Sequence, residues 1–269
     1  DILNEVDIVF NIAEGLEGRN REAQVPVILE TLKIPFVGSD GLTLALTLDK
    51  TTTKRVLISY GIPTPHFFEV ENFANLNGVV LDFPMMVKPR YEGASKGITD
   101  KSRVEDRIRL LEQLRLINEV YRQPALVEEF ISGSEFTVPI IGNDPPEVLS
   151  VVQTEIDGKL VPGDLIYTYE RIHSDSIKYI CPARIDKELE QEIKDLALAT
   201  YKAVGCRDFG RVDFRVDENN NPYVLEINPL PSLSVEDAFK IEAELIGMSY
   251  NQMINRILNF ALERYNLLD

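Results

Sequence analysis

At 269 residues, 44% of them hydrophobic, the chain can bury a sizeable core and form more than one domain. Its net charge of −16 leaves no basic stripe for a nucleic-acid backbone, although a nucleotide, which needs only a few local cations, remains compatible. No apolar run reaches membrane length or reads as a signal peptide, and Cys181 and Cys206 lack metal-type spacing, so they read as reduced core thiols of a cytoplasmic protein.

In chain order, residues 6–12 (VDIVFNI) read as a strand, 21–32 (REAQVPVILETL) as a helix and 34–40 (IPFVGSD) as a short strand and turn. This β-α-β order suits the end of a doubly wound unit, and an upstream portion of that unit is expected before residue 1. One helix is predicted from about Leu42 to Tyr60, closed by Gly61, with Pro63 and Pro65 marking a linker. Strands 67–70 (FFEV) and 84–90 (PMMVKPR) and a helix over 103–120 make a small mixed unit. Strand 124–131 (PALVEEFI) and the β-branched stretches EFTVPII and EVLSVVQTEI follow. Residues 185–205 form an amphipathic helix ending at Gly205, and a last helix runs from about Tyr250 to Tyr265.

Between those two helices lies a predicted hairpin, RVDFRVDENNNPYVLEINPLPS (211–232). Val212, Phe214 and Val216 alternate with Arg211, Asp213, Arg215 and Asp217, and Tyr223, Leu225 and Ile227 alternate with Val224, Glu226 and Asn228. A turn centred on Asn219-Asn220 sets Asp213 opposite Glu226 and Arg211 opposite Asn228. Like charges directly opposed across a ladder are destabilising. A solvated charged face is one reading of this arrangement. The other is that two carboxylates and an amide oxygen supply hard ligands for Mg²⁺, which favours near-octahedral oxygen coordination and bridges to substrate phosphates. Arg211 could then bind a transferring phosphoryl group.

Lys88 ends an apolar strand, where a partly desolvated ammonium suits a phosphate. The loop Glu92-Gly93-Ala94-Ser95-Lys96-Gly97 behind it has small residues whose backbone N–H groups can approach phosphate oxygens. It matches neither G-x-x-x-x-G-K-[ST] nor G-x-G-x-x-G. Glu128 and Glu135, in VEEFISGSEFTV, suit an adenine amino group and ribose hydroxyls, or are exposed acids of an edge strand; Ser132-Gly133 could be a hinge. Asp49 and Lys50, in LDKTTTKR, could equally lie on a solvated helix face.

In this order, RVDF with YVLEINPLP, FPMMVKPRYEGASKGI, VEEFISGSEFTV and GSDGLTLALTLDKTTTKRVLISYGIPTP together resemble the ATP-grasp superfamily, and within it the D-alanine–D-alanine ligase family, over nearly the whole chain. The resemblance implies an α/β protein, α+β in its ATP-grasp subdomains. A partial N-terminal doubly wound domain (1–48) would precede a small subdomain (49–130) and a large one (131–269). It implies that Lys50 and Lys88 bind ATP phosphates and that the loop from Glu92 to Ile98, with Gly93, Ser95 and Gly97, closes over them. Glu128 and the backbone of Glu129, Phe130 and Ile131 would hold adenine, and Glu135 the ribose. Asp213, Glu226 and Asn228 would bind two Mg²⁺ (or Mn²⁺) ions, with the opposed carboxylates kept apart by cations between them. Arg211, with Lys88, would be catalytic. The reaction implied is ATP-dependent joining of a carboxylate to an amine through an acyl phosphate, in peptidoglycan biosynthesis. The partners implied are an amino acid or a peptide, with neither nucleic acid nor membrane, and with a homodimer allowed. A ligase for another amino acid or peptide, and an ATP-binding protein without ligation, are the rival readings.

Three departures from the family pattern concern the substrates. Ala94-Ser95 replaces a serine pair, and Ile172-His173 stands near the place of a Lys-Tyr pair, making His173 a candidate substrate residue. Pro231-Ser232 replaces a Pro-Gly, and Asp237 falls where the family has a serine for the acceptor's carboxylate. Either Asp237 points away, or the acceptor is not a free D-amino acid. EGLEGRNREAQVP (14–26) also departs from the family's usual His-Gly-containing loop.

Overall fold

The computed structural model describes residues 6–71, 82–234 and 237–268. Near the N-terminus, β1 (Val9–Phe10) pairs in parallel with β2 (Phe36–Val37), and α1 (Gln24–Leu32) crosses between them. The strand expected over 6–12 is therefore only two residues long. The helix expected from Leu42 to Tyr60 is two helices, α2 (Gly41–Leu48) and α3 (Lys50–Ser59). Asp49 breaks it: its backbone is extended and its side chain caps α3, accepting from the Thr52 N–H.

A four-stranded antiparallel sheet follows, in the order β3 (Phe67–Val70), β6 (Ala125–Glu129), β4 (Met85–Pro89), β5 (Arg103–Val104). The helix expected over 103–120 begins with β5. Asp106 then caps α4 (Arg107–Leu116), which ends in a wider turn over Ile117–Tyr121. Leu110, Leu114 and Ile117 bury their apolar stripe against Met85, Val87 and Val127 of this sheet.

The large sheet comprises β7 (Ser134–Ile141), β8 (Glu147–Val148), β9 (Val152–Ile156), β10 (Ile177–Ile180), β11 (Phe209–Val216) and β12 (Pro222–Asn228). Its order is β10-β9-β7-β11-β12, with β8 beside β7, and every pairing is antiparallel. α5 (Tyr169–Ile172) leads into β10, and α6 (Lys187–Ala203) packs Leu189, Ile193, Ala197 and Tyr201 against Val212, Phe214 and Val216. α7 (Ala238–Leu245) and α8 (Tyr250–Arg264) supply Phe239, Met253 and Ile257 to a second core with Phe209. With Val212, Phe214 and Val216 committed to the core under α6, the alternate residues Arg211, Asp213 and Arg215 are turned the other way, toward the space between the two sheets. The linker after α3 lies along the edge of β12: Thr64 donates to the Val224 carbonyl and Val224 N–H donates to Pro63.

The hairpin register has Asp213 opposite Glu226 and Arg211 opposite Asn228, as expected, but it gets there differently. The turn is centred on Asn219, where Asp217 accepts from the N–H groups of Asn219 and Asn221, and Phe214 faces Val224. Leu225 is the extra residue of a β-bulge that restores the pairing at Glu226. Val224 and Ile227 therefore go to the core, while Leu225, expected there, lines the cleft.

Gly133, expected as a hinge, is pinned. It exchanges backbone hydrogen bonds with Gly163, and with φ +150° a Cβ there would lie 1.9 Å from the Val216 carbonyl oxygen. Gly133→Ala is expected to cost at least about 2 kcal/mol, read as a lower denaturant midpoint at unchanged slope. Both cysteines are free thiols; Cys206 is buried as expected, but Cys181 is only half-buried. No helix among the described residues is long and apolar enough to cross a membrane.

Candidate active site

A cleft of 980 Å³ opens between the two sheets, lined from one side by Lys88 and Glu128 and from the other by Arg211, Asp213, Glu226 and Asn228. Asp213 is held from three directions. Thr137, its β7 neighbour, donates Oγ1 at 2.6 Å; Arg211 donates Nε and Nη2 at 2.9 Å each; Asn228 donates Nδ2 at 2.9 Å. Glu226, directly opposite, takes Lys50 Nζ at 2.6 Å. The opposed carboxylates are thus each paired with a cation of the protein itself. Burial pushes Glu226's carboxyl up, but the charges of Lys50 and Lys88 outweigh it and hold the group below its ordinary value. Burial works against Arg211's charge as well, yet Asp213 holds its pKa well above the usual value.

Lys50 reaches Glu226 because Asp49 is fixed. Arg90 clamps Asp49 with Nε and Nη2 at 2.6 and 2.7 Å and also pairs with Glu69. Burial raises Asp49's carboxyl, but Arg90 and Thr52 bring it down to about 2. The pair Asp49-Lys50 is therefore no solvated helix face.

Glu128 stands between two lysines, Lys88 at 2.5 Å and Lys54 at 2.8 Å, and is 1% exposed. Both carboxylate oxygens thus lie within ion-pair distance of a lysine, so an adenine amino group, expected there, would share Glu128 with two cations. Lys88 is held charged by Glu128 despite its burial, whereas burial dominates at Lys54 and lowers its pKa. Glu135 pairs with Arg215 at 3.3 Å, and burial raises its carboxyl above the ordinary value.

Behind Lys88 the loop carries two consecutive left-handed residues, Ala94 (φ 49°) and Ser95 (φ 53°), which turn backbone toward the cleft that both line. Gly97 is required: a Cβ there would sit 2.5 Å from the Pro89 ring. Glu92 faces away from the cleft, toward Gln123 at 2.9 Å and Arg21 at 3.5 Å, and Arg21 donates to the Tyr91 carbonyl at 2.7 Å. Gly93 lies beside Glu22, whose carboxyl burial raises to about 7. So the N-terminal segment grips the root of this loop.

Of the other expected residues, Glu129, Phe130 and Ile131 line the cleft beside Ile166 and Leu225, and Ser232, Asp237 and His173 line its far end. His173 Nδ1 contacts the Tyr169 carbonyl at 2.8 Å and its ring packs on Tyr169. Sequence reasoning missed Lys54, Arg90, Thr137, Arg215 and the Tyr167–Tyr179 hydroxyl pair at 2.5 Å. Thr137 and Arg215 share strand faces with Glu135 and Asp213, and Lys54 is one helical turn from Lys50, so period alone could have found them. The tyrosine pair joins the stretch before α5 to β10, twelve positions on, and no periodicity links the two.

The family model for the D-ala D-ala ligase C-terminus matches residues 57–259. The chain is 38% identical, over 96% of its length and 75% of the relative's, to an uncharacterized protein of Sinorhizobium fredii. It is 33% identical to the D-alanine–D-alanine ligase of Carboxydothermus hydrogenoformans, covering 96% of this chain and 87% of that one. Among solved structures, the D-alanine–D-alanine ligase from Bacillus anthracis superposes with a TM-score of 0.78 at 26% identity, covering 96% and 81%. The VanG D-Ala:D-Ser ligase from Enterococcus faecalis gives 0.77 at 29%, covering 95% and 73%. A two-sheet cleft with this hairpin, and relatives of this kind matched along almost all of its length, show that the chain is an ATP-grasp protein belonging to the D-alanine–D-alanine ligase family of ATP-dependent ligases.

Proposed function

We propose that this ligase activates the carboxylate of D-alanine with ATP and joins the resulting acyl phosphate to an amine. The observation that carries the reading is the convergence of Arg211, Asp213, Glu226 and Asn228 on one face of the hairpin, opposite Lys50 and Lys88. D-Alanine is common to the names of the ligase relatives, one of which adds D-serine, and this supports D-alanine as the donor.

In this reading the donor carboxylate oxygen attacks the γ-phosphorus and ADP leaves. Lys50, Lys88 and the backbone of residues 93–97 neutralise and cradle the phosphates. Arg211 stabilises charge on the transferring group. Adenine lies against the backbone of Glu129 to Ile131, Glu135 takes the ribose, and Glu128 keeps Lys88 charged and aimed. The amine then attacks the acyl carbon, phosphate leaves, and the cleft walls exclude the water that would hydrolyse the intermediate. The divisions at 48/49 and 130/131 belong to the same reading, as does a cytoplasmic location.

The donor set fits Mg²⁺ or Mn²⁺. Asp213 and Glu226 are directly opposed hard carboxylates with the Asn228 amide beside them. No group of three His, Cys, Asp or Glu able to hold a metal occurs among the described residues, so an ion here must complete its shell with phosphate oxygens and water, as Mg²⁺ does. Asp213, Glu226 and Asn228 would hold two such ions, which when bound supply charge neutralisation of the ATP phosphates.

D-alanine-dependent release of ADP and phosphate, with the amide product identified by mass, is the expected result. Turnover with another amino acid and none with D-alanine would reassign the donor. A role in peptidoglycan biosynthesis follows only if free D-alanine is also the acceptor.

A further inference from the structure

β11 orders the cleft by function. Its cleft-facing residues Arg215, Asp213 and Arg211 lie two positions apart, about 7 Å each. Arg215 sits at the nucleoside end with Glu135, Asp213 faces Glu226 in the middle, and Arg211 is last. If the nucleotide fills the cleft from Glu135 to Asp213, the attacking amine has to come from beyond Arg211.

There the structure places Asp237. Its Oδ1 lies 3.7 Å from Arg211 Nη1, its side chain is 14% exposed, and it caps α7 by accepting the Ala238 N–H. Asp237 points into the cleft, beside Tyr179, Ser232 and Ile241. Arg211 is already gripped through two nitrogens by Asp213, whereas its Nη1 is 3.7 Å from Asp237, so beyond the proposed metal site Asp237 is held only loosely by that guanidinium. Lys178, on the same wall, is largely exposed and 3.9 Å from Glu155, and Asp175 adds a further acid. A carboxylate entering here would meet Asp237 with only a shared cation to offset it; an ammonium would be drawn in.

We propose that the acceptor is an amine whose adjacent carboxyl is amidated or absent, such as an amino-acid amide or the N-terminus of a peptide, selected by Asp237. This rests on the reading of the cleft as an acyl-phosphate ligase. In the joining step the acceptor first loses one proton to solvent to become the free amine; its nitrogen then bonds to the acyl carbon, the carbon–oxygen bond to phosphate breaks, and the second proton leaves with the phosphate.

The test uses the full chain with ATP, Mg²⁺ and D-alanine as donor. Hydroxylamine, which traps an acyl phosphate without occupying an acceptor site, reports donor activation alone. D-Alanine and D-alaninamide are then offered as acceptors, and the two dipeptide products are quantified by mass. The expected result is hydroxamate formation, a preference for D-alaninamide of at least tenfold, and a fall in that preference of at least tenfold in Asp237→Ser. Serine is also a good N-cap, which favours retention of α7. Hydroxamate together with equal or better use of free D-alanine by the unsubstituted protein overturns the proposal, as does an unchanged preference in Asp237→Ser. The unsubstituted protein decides the matter if that variant does not fold. Absence of hydroxamate overturns the ligase reading itself, and the proposal with it.

Discussion

Glu226→Gln is expected to lower ATP-dependent turnover at least about 100-fold, the scale on which removal of a preorganised charge at a transferring group is felt. Glutamine keeps the size of the side chain and the β12 pairing with Asp213, but it removes the charge that meets Lys50 at 2.6 Å. Lys50 then loses its aim, and the proposed metal site loses one of its two carboxylates. The loss should be partly recovered by raising Mg²⁺, because a weaker site fills at higher concentration. ADP release measured across a Mg²⁺ titration checks this. Turnover equal to that of the unsubstituted protein at limiting Mg²⁺ would remove Glu226 from the metal site.

Glu128→Gln is expected to cost about 3–5 kcal/mol of folding stability, because it leaves the buried Lys54 and Lys88 without a counter-charge. The pH dependence has a definite sign. Burial raises Glu128's carboxyl, but Lys54 and Lys88 bring it from 4.5 down to about 2 in the folded protein. A carboxyl depressed by folding contributes stability that is fully present above its unfolded value and is lost as pH falls toward the folded one. The contribution, about 3 kcal/mol, should therefore fade between pH 4.5 and 2. Denaturant titrations across that window should show a shallower acid loss in Glu128→Gln. Parallel curves for the two proteins would mean that Glu128 is not the charged centre of the triad.

What the sequence disclosed followed from period and pairing. The alternation in β11 was enough to put Asp213 opposite Glu226, because a buried face specifies register strongly. The bulge at Leu225 was hidden, since a shifted turn and a bulge give the same pairing at Glu226 and differ only in which of Val224 and Leu225 is buried. The break at Asp49 was hidden for another reason. Leu42 to Tyr60 has no helix-breaking residue, and the extended conformation of Asp49 is held by Arg90, forty-one positions away. Glu128 was visible as a cleft acid, but its partners Lys54 and Lys88 come from a helix and a neighbouring strand, so its pairing needed the fold.

The way β11 spaces its polar face also limits how such a protein can diverge. Inserting or deleting one residue within this strand would turn Arg211, Asp213 and Arg215 inward and expose Val212, Phe214 and Val216. Length variation is therefore barred from the strand that spaces nucleotide, metal and transfer, and new preferences have to arise by replacement at its outer end. Asp237 stands there as a helix cap, at a position where several small polar residues would cap equally well. The acceptor end can thus be rewritten one side chain at a time while the nucleotide end stays in register.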